Sequence, residues 1–203
     1  MNHLLLKTAE ALKKRGFDAY AVECREDALR LALSLLTKGS SITWGGSMTI
    51  RDIGLTDAVK GKDFVVYDRD ELPHEARAAF AKEHYFSNWY FTSSNAITES
   101  GELLNLDGIG NRVASMIWGP ENVLVVAGIN KIVPTLSDAY TRVREIAAPK
   151  NAQRFEIKTP CKKTGKCEDC ISPDTICAQM VHLRVSKPKG RIRVILVDES
   201  LGY

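Results

Sequence analysis

Cys161, Cys167, Cys170 and Cys177 fall within the stretch TPCKKTGKCEDCISPDTIC, residues 159–177, with the spacing C-x5-C-x2-C-x6-C. Four thiolates can close on a tetrahedral zinc ion or on an iron–sulfur cluster. The C-x2-C pair reaches one centre from a single turn, and Gly165 and Pro173 permit the bends that would bring Cys161 and Cys177 round. The spacing matches neither the usual ferredoxin run nor the paired C-x2-C knuckles of zinc sites. Iron–sulfur, zinc, disulfides and inert reduced thiols therefore all remain open. Lys162, Lys163 and Lys166 would offset thiolate charge, and His182 is a further ligand candidate. Cys24 lies far away in the sequence and reads as a small hydrophobe near a strand end.

Three other segments carry chemistry. In WGGSMT, Gly45 and Gly46 let the backbone approach a ligand, and Ser47 opens a helix whose first N–H groups suit an anion. From Thr92 to Arg112 the chain gathers Asn95, Thr98, Glu99, Asn105, Asp107 and Asn111 among Gly101, Gly108 and Gly110, a density that predicts a pocket wall rather than a plain turn. GIGNRV within it lacks the third glycine of a dinucleotide fingerprint, because position 113 is Val. Lys131, directly after the apolar run VLVVA, would face a cleft and hold an anionic ligand.

Alternating elements must position these groups. Helices are expected over 2–15, 25–38, 47–60, 72–85, 111–118 and 135–149. Strands are expected at FDAYAVE, SSITW, DFVVYD, WYFT, ELLNL, NVLVVAGINKIV and RIRVILVDE. The alternation predicts an α/β domain with a largely parallel sheet covered on both faces, and ligands then sit beyond the carboxyl ends of the strands. The whole of residues 1–203 reads as a single domain, with a cysteine-rich loop at 159–178.

Composition agrees: of 203 residues, 44% are apolar and 26% charged, enough for a core that needs no disulfides. A net charge of +3 with scattered Lys and Arg gives no footprint for nucleic acid. Lys187, Lys189, Arg191 and Arg193 read as a solvated loop entering a strand. No run has the length of a membrane span or a signal peptide, so a cytoplasmic protein with reduced thiols and no membrane insertion is expected.

The run from Thr92 to Val133 resembles the core signature of the lactate-utilisation domain family, LUD. SSITWGGSMTIRDIG resembles its upstream glycine loop, and PCKKTGKCEDCISPDTIC the tail of a short-chain branch. The resemblance implies a three-layer α/β/α fold similar to the ribose-phosphate isomerase, glucosamine-phosphate deaminase and CoA-transferase group. It also implies iron–sulfur or oxidoreductase subunits as partners, and so favours an iron–sulfur cluster over zinc. CoA-transferases use a glutamate closely followed by glycine as nucleophile, which the resemblance carries to Glu99 in TESG. An isomerase would need Glu99 or Asp107 as its acid–base group. The leading expectation is an accessory or redox component of lactate or organic-acid utilisation that binds a small anion. An acyl-CoA transferase or sugar-phosphate isomerase, and a non-catalytic ligand sensor, are the alternatives.

Overall fold

A computed structural model of the chain describes residues 2–61 and 63–203, with the backbone alone at His74. In chain order the elements are α1 (His3–Lys14), β1 (Asp18–Val22), α2 (Arg25–Ser34), β2 (Ser41–Trp44), α3 (Met48–Asp52), α4 (Leu55–Ala58) and β3 (Val65–Val66). Then come α5 (Arg77–Glu83), β4 (Trp89–Thr92), β5 (Ala96–Thr98), β6 (Leu103–Asp107), α6 (Asn111–Ile117), β7 (Asn122–Gly128) and β8 (Ile132–Val133). The chain ends with α7 (Leu136–Arg142), α8 (Ala148–Ala152), α9 (Pro160–Thr164), β9 (Gln179–Leu183) and β10 (Ile192–Val197).

Six of these strands form a parallel sheet in the order β1-β10-β7-β4-β2-β3. The apolar run in β7 has a direct cause. Val123, Val125 and Ala127 pack with Leu5, Ala9 and Leu12 of α1 on one face, while Leu124 and Val126 pack with Ala28, Ala32 and Ile50 on the other. Side chains alternate along a strand, so a strand covered on both sides must be apolar at every position. The largely parallel α/β sheet is thus present as expected.

A second sheet, β8-β5-β6-β9, is mixed: β5 and β9 run antiparallel to β6, and β5 runs parallel to β8. Its Ile97 and Leu103 join the core under α1, and its Ala96 and Leu104 pack on Ala139 and Val143. Neither β5, which follows the expected strand WYFT, nor β9, which follows the cysteine-rich loop, is among the expected strands. Two-faced packing on strands of three to five residues leaves no long apolar run to detect.

The helix expected over 72–85 is α-helical only over Arg77–Glu83, and two others differ in their interiors. The helix over 47–60 breaks into α3 and α4 at Gly54, which takes φ 72°. The helix from 135 begins with a capping box between Thr135 and Asp138, widens to a π-helical turn at Val143–Ala147, and continues past Pro149 to Ala152. The proline is tolerated because it stands in the first turn of α8, where the widened turn has already displaced the ladder.

Among the described residues, no helix is long and apolar enough to cross a membrane.

Candidate functional site

Beyond the carboxyl ends of β2, β4 and β7 lies a cavity of about 380 Å³. This is where the crossover rule of open α/β sheets puts ligands. Its floor holds Lys131, at the end of a 3-10 turn that follows β7. The residue is 4% exposed. Its Nζ donates to Thr49 Oγ1 at 2.8 Å and to Ser93 Oγ at 2.9 Å. Both partners are neutral hydroxyls. Burial first, and then the nearby Arg142 and Arg112 guanidinium groups, pull its pKa down to about 7. Gly202, at φ 58°, brings the backbone over the amine: a Cβ there would stand 2.5 Å from Thr49 Oγ1 and 3.3 Å from Lys131 Nζ.

Arginines form the walls. Arg51, Arg69, Arg77, Arg112 and Arg154 line the cavity with Lys131, against the carboxylates of Asp70 and Asp107. Each carboxylate is engaged through its Oδ2, while Asp70 Oδ1 is buried without a hydrogen-bond partner. Asp70 Oδ2 accepts from Trp44 Nε1 at 3.0 Å and pairs with Arg51 Nη2 at 2.7 Å. Burial raises the Asp70 pKa, but these two donors outweigh it and hold the group below its ordinary value. Asp107 Oδ2 accepts from the N–H groups of Arg112 and Val113, both at 3.1 Å, and so caps α6. The Arg69 Nε is buried with no hydrogen-bond partner. The recess thus gathers six cationic side chains against two carboxylates, and low-dielectric walls strengthen their field.

Arg112 organises the recess. Its Nη1 donates to Ser93 O at 3.1 Å and Asn105 Oδ1 at 2.9 Å, and its Nη2 donates to Asn95 Oδ1 and Leu106 O, both at 2.8 Å. Gly45 makes room for it, since a Cβ at that position would come within 2.6 Å of Tyr90 Oη and 3.3 Å of the Arg112 side chain.

The cysteine segment lies against the same wall. Cys161, Cys167, Cys170 and Cys177 all line one smaller cavity of about 210 Å³, and Leu106 lines both cavities. All four thiols are free. Arg144 Nη2, on the π-helical turn, donates to Cys167 Sγ at 3.5 Å and to Asp169 Oδ1 at 2.6 Å. Burial, followed by the charge of the other three sulfurs, raises the Cys177 thiol to about 11.

A family model of the LUD domain matches residues 5–197, nearly the whole chain. The chain belongs to the LUD domain family. Among solved structures it is similar to a DUF162 family protein from Deinococcus radiodurans, with TM-score 0.55, 16% identity and 96% of each chain covered. Ribose 5-phosphate isomerase A from Methanocaldococcus jannaschii matches over 56% of both chains, at 16% identity and TM-score 0.37. No curated protein shows a significant match.

The candidate site residues read from the sequence do not all come together. Gly46, Ser47, Asn95, Asp107, Gly108 and Lys131 line the cavity around Lys131. Gly45 and Asn105 stand behind it, holding Arg112. Gly110 adopts φ 83° ahead of α6, with the Gln179 side chain beside it. Thr98, Glu99 and Gly101 are elsewhere. Glu99 Oε2 pairs with Lys7 Nζ of α1 at 2.8 Å, and Gly101 packs against the α1 backbone at Ala11. Thr98 is wholly buried and bonds Ser100 and the N–H of Glu102. The TESG turn joins β5 to β6 in the second sheet, which directs it away from the carboxyl ends of the first.

Ser47 caps α3, but a helix of five residues carries little macrodipole, so the cavity depends on side chains for its charge. Arg51, Arg69, Arg77 and Arg154 were not singled out from the sequence. They are dispersed over more than a hundred positions, and only folding collects them. Arg191 is likewise no solvated loop residue: it donates to the carbonyls of Met116, Ser115 and Pro120 and ties down the end of α6. His182 stands 3.7 Å from Glu102 in β9 and is not among the residues around the cysteine cavity. His3 is exposed at the start of α1, whereas His84 stacks on Tyr67 at 3.8 Å and meets Phe80 at 4.3 Å. Cys24 precedes α2 as its cap residue and groups with Glu26 and Glu199, rather than packing as a core hydrophobe.

Proposed function

We propose that this LUD-family protein binds a small organic anion, a carboxylate or phosphate of organic-acid metabolism, with its charged head over Lys131 and its body between the arginines. Lys131 carries the reading. A buried amine held only by two hydroxyls leaves its desolvation cost uncompensated, and an anionic ligand supplies the missing counter-charge. The walls favour more than one negative group, because the guanidinium groups of Arg69, Arg77 and Arg154 stand at the rim with both cavity carboxylates already paired. A second recess of about 510 Å³ adjoins, sharing Arg51, Asp70, Arg77 and Arg154, and gives room for a longer ligand.

The family label and the neighbouring cysteine site make an accessory or redox-associated role in lactate or organic-acid utilisation the preferred context, with iron–sulfur or oxidoreductase subunits as partners. An acyl transfer through Glu99 finds no support in its position, since the carboxylate is paired to α1 and does not line the cavity. Titration calorimetry with lactate, pyruvate, phosphate and a sugar phosphate tests the reading. The expected outcome is saturable binding of at least one, weakened by about 10- to 100-fold in Lys131→Met, as loss of a charged hydrogen bond implies. Equal binding by the variant would contradict it.

A further inference from the structure

The cysteine site is independent of the anion reading and has its own geometry. Its four sulfurs come from two directions. Cys161 projects from α9, which ends at Gly165 with φ 72°, and the other three come from the loop that leads into β9. Between Cys167 and Cys170 the chain turns through Asp169 at φ 51°, a left-handed conformation in a residue with a Cβ. The Arg144–Asp169 ion pair holds that turn against the π-helical segment. The thiols therefore converge on one cavity of about 210 Å³ without forming any disulfide.

The separation of the sulfurs discriminates between occupants. A tetrahedral zinc with Zn–S of about 2.3 Å would hold its sulfurs about 3.8 Å apart. Among the described residues, no three of these four sulfurs lie within 4.8 Å of one another, whereas Cys24, Glu26 and Glu199 do form such a group. All four instead line one cavity of about 210 Å³, room for more than a single ion. An iron–sulfur cubane sets its own irons and sulfides between the thiolates and so spreads them. The remaining surroundings suit it: Leu106, Ala148, Pro149 and Met180 give the cavity an apolar side, and the Arg144 guanidinium donates to Cys167 Sγ. Hydrogen bonds to sulfur and local burial are the levers by which proteins tune such clusters.

We propose that Cys161, Cys167, Cys170 and Cys177 hold a [4Fe–4S] cluster, one layer of side chains away from the anion cavity. The test is anaerobic reconstitution of the full chain with ferric iron, sulfide and a thiol reductant, followed by metal and acid-labile sulfide analysis and paramagnetic resonance after reduction with dithionite. About four irons and four sulfides per chain are expected, with a reduced-cluster signal. The Cys24→Ser variant should keep the full content, and Cys170→Ser should lose it while retaining its circular dichroism. Either one tightly bound zinc without sulfide, or a wild-type chain that takes up no cluster, would overturn the proposal. So would loss of the cluster in Cys24→Ser. None of these readouts depends on anion binding.

Discussion

Ile176 and Cys177 are consecutive residues that face different cavities: Ile176 lines the arginine-walled recess, and Cys177 lines the sulfur-lined one. Leu106 of β6 does the same work from the other side, contributing to both. The cysteine segment is therefore part of the wall of the anion site. Hydrogen exchange should show this. Amides of residues 174–178 should exchange more slowly when the recess is filled by a binding anion, while those around Phe86 on the far side should not change.

Lys131 should cost stability at neutral pH. Its native pKa near 7 lies below the ordinary 10.5, so between these values the unfolded chain holds a proton that the folded chain does not. Stability must then rise with pH across that window, and the deficit is complete below about pH 7, where both states are protonated. The total is on the order of 5 kcal/mol. Lys131→Met should accordingly melt higher than wild type at pH 6, with the gain shrinking as pH rises, in parallel thermal melts. A lower melting temperature in the variant would show that the amine is not an uncompensated charge.

Arg112 has the opposite character. Its guanidinium satisfies two backbone carbonyls and the Asn95 and Asn105 side chains in a partly buried setting. Arg112→Ala should destabilise by about 3 kcal/mol, because those acceptors are left unpaired. Arg112→Lys should recover little, since an ammonium cannot reproduce the planar fork. Urea unfolding of the three proteins measures both effects.

Much of this architecture can be read in the sequence. The β7 run, the glycines before α3 and the lysine after β7 are local signals, and each predicts its own place. The second sheet is not local: β6 finds its partner β9 more than seventy residues away, with the cysteines between. That pairing folds the TESG turn away from the cleft and the cysteine segment toward it, reversing what proximity in the sequence implies for both. The arginines illustrate the same limit, since no spacing links Arg51, Arg69, Arg77 and Arg154.

Glu99→Gln should be nearly silent. The pair with Lys7 is largely solvent-exposed on the lysine side, and such bridges contribute about 0–1 kcal/mol. Anion affinity by calorimetry should be unchanged within twofold. A loss of tenfold or more would return Glu99 to the site.

The most direct measurement of the anion site is proton linkage. An anion that pairs with Lys131 raises the amine's pKa, so binding at about pH 8 must take up a proton from the buffer. Calorimetry in two buffers of different ionisation enthalpy reads that uptake. Wild type should take up a substantial fraction of one proton, with affinity falling as pH climbs above about 7, and Lys131→Met should take up none. Binding without proton uptake in wild type, at an affinity independent of pH, would contradict the assignment of Lys131 as the anchor.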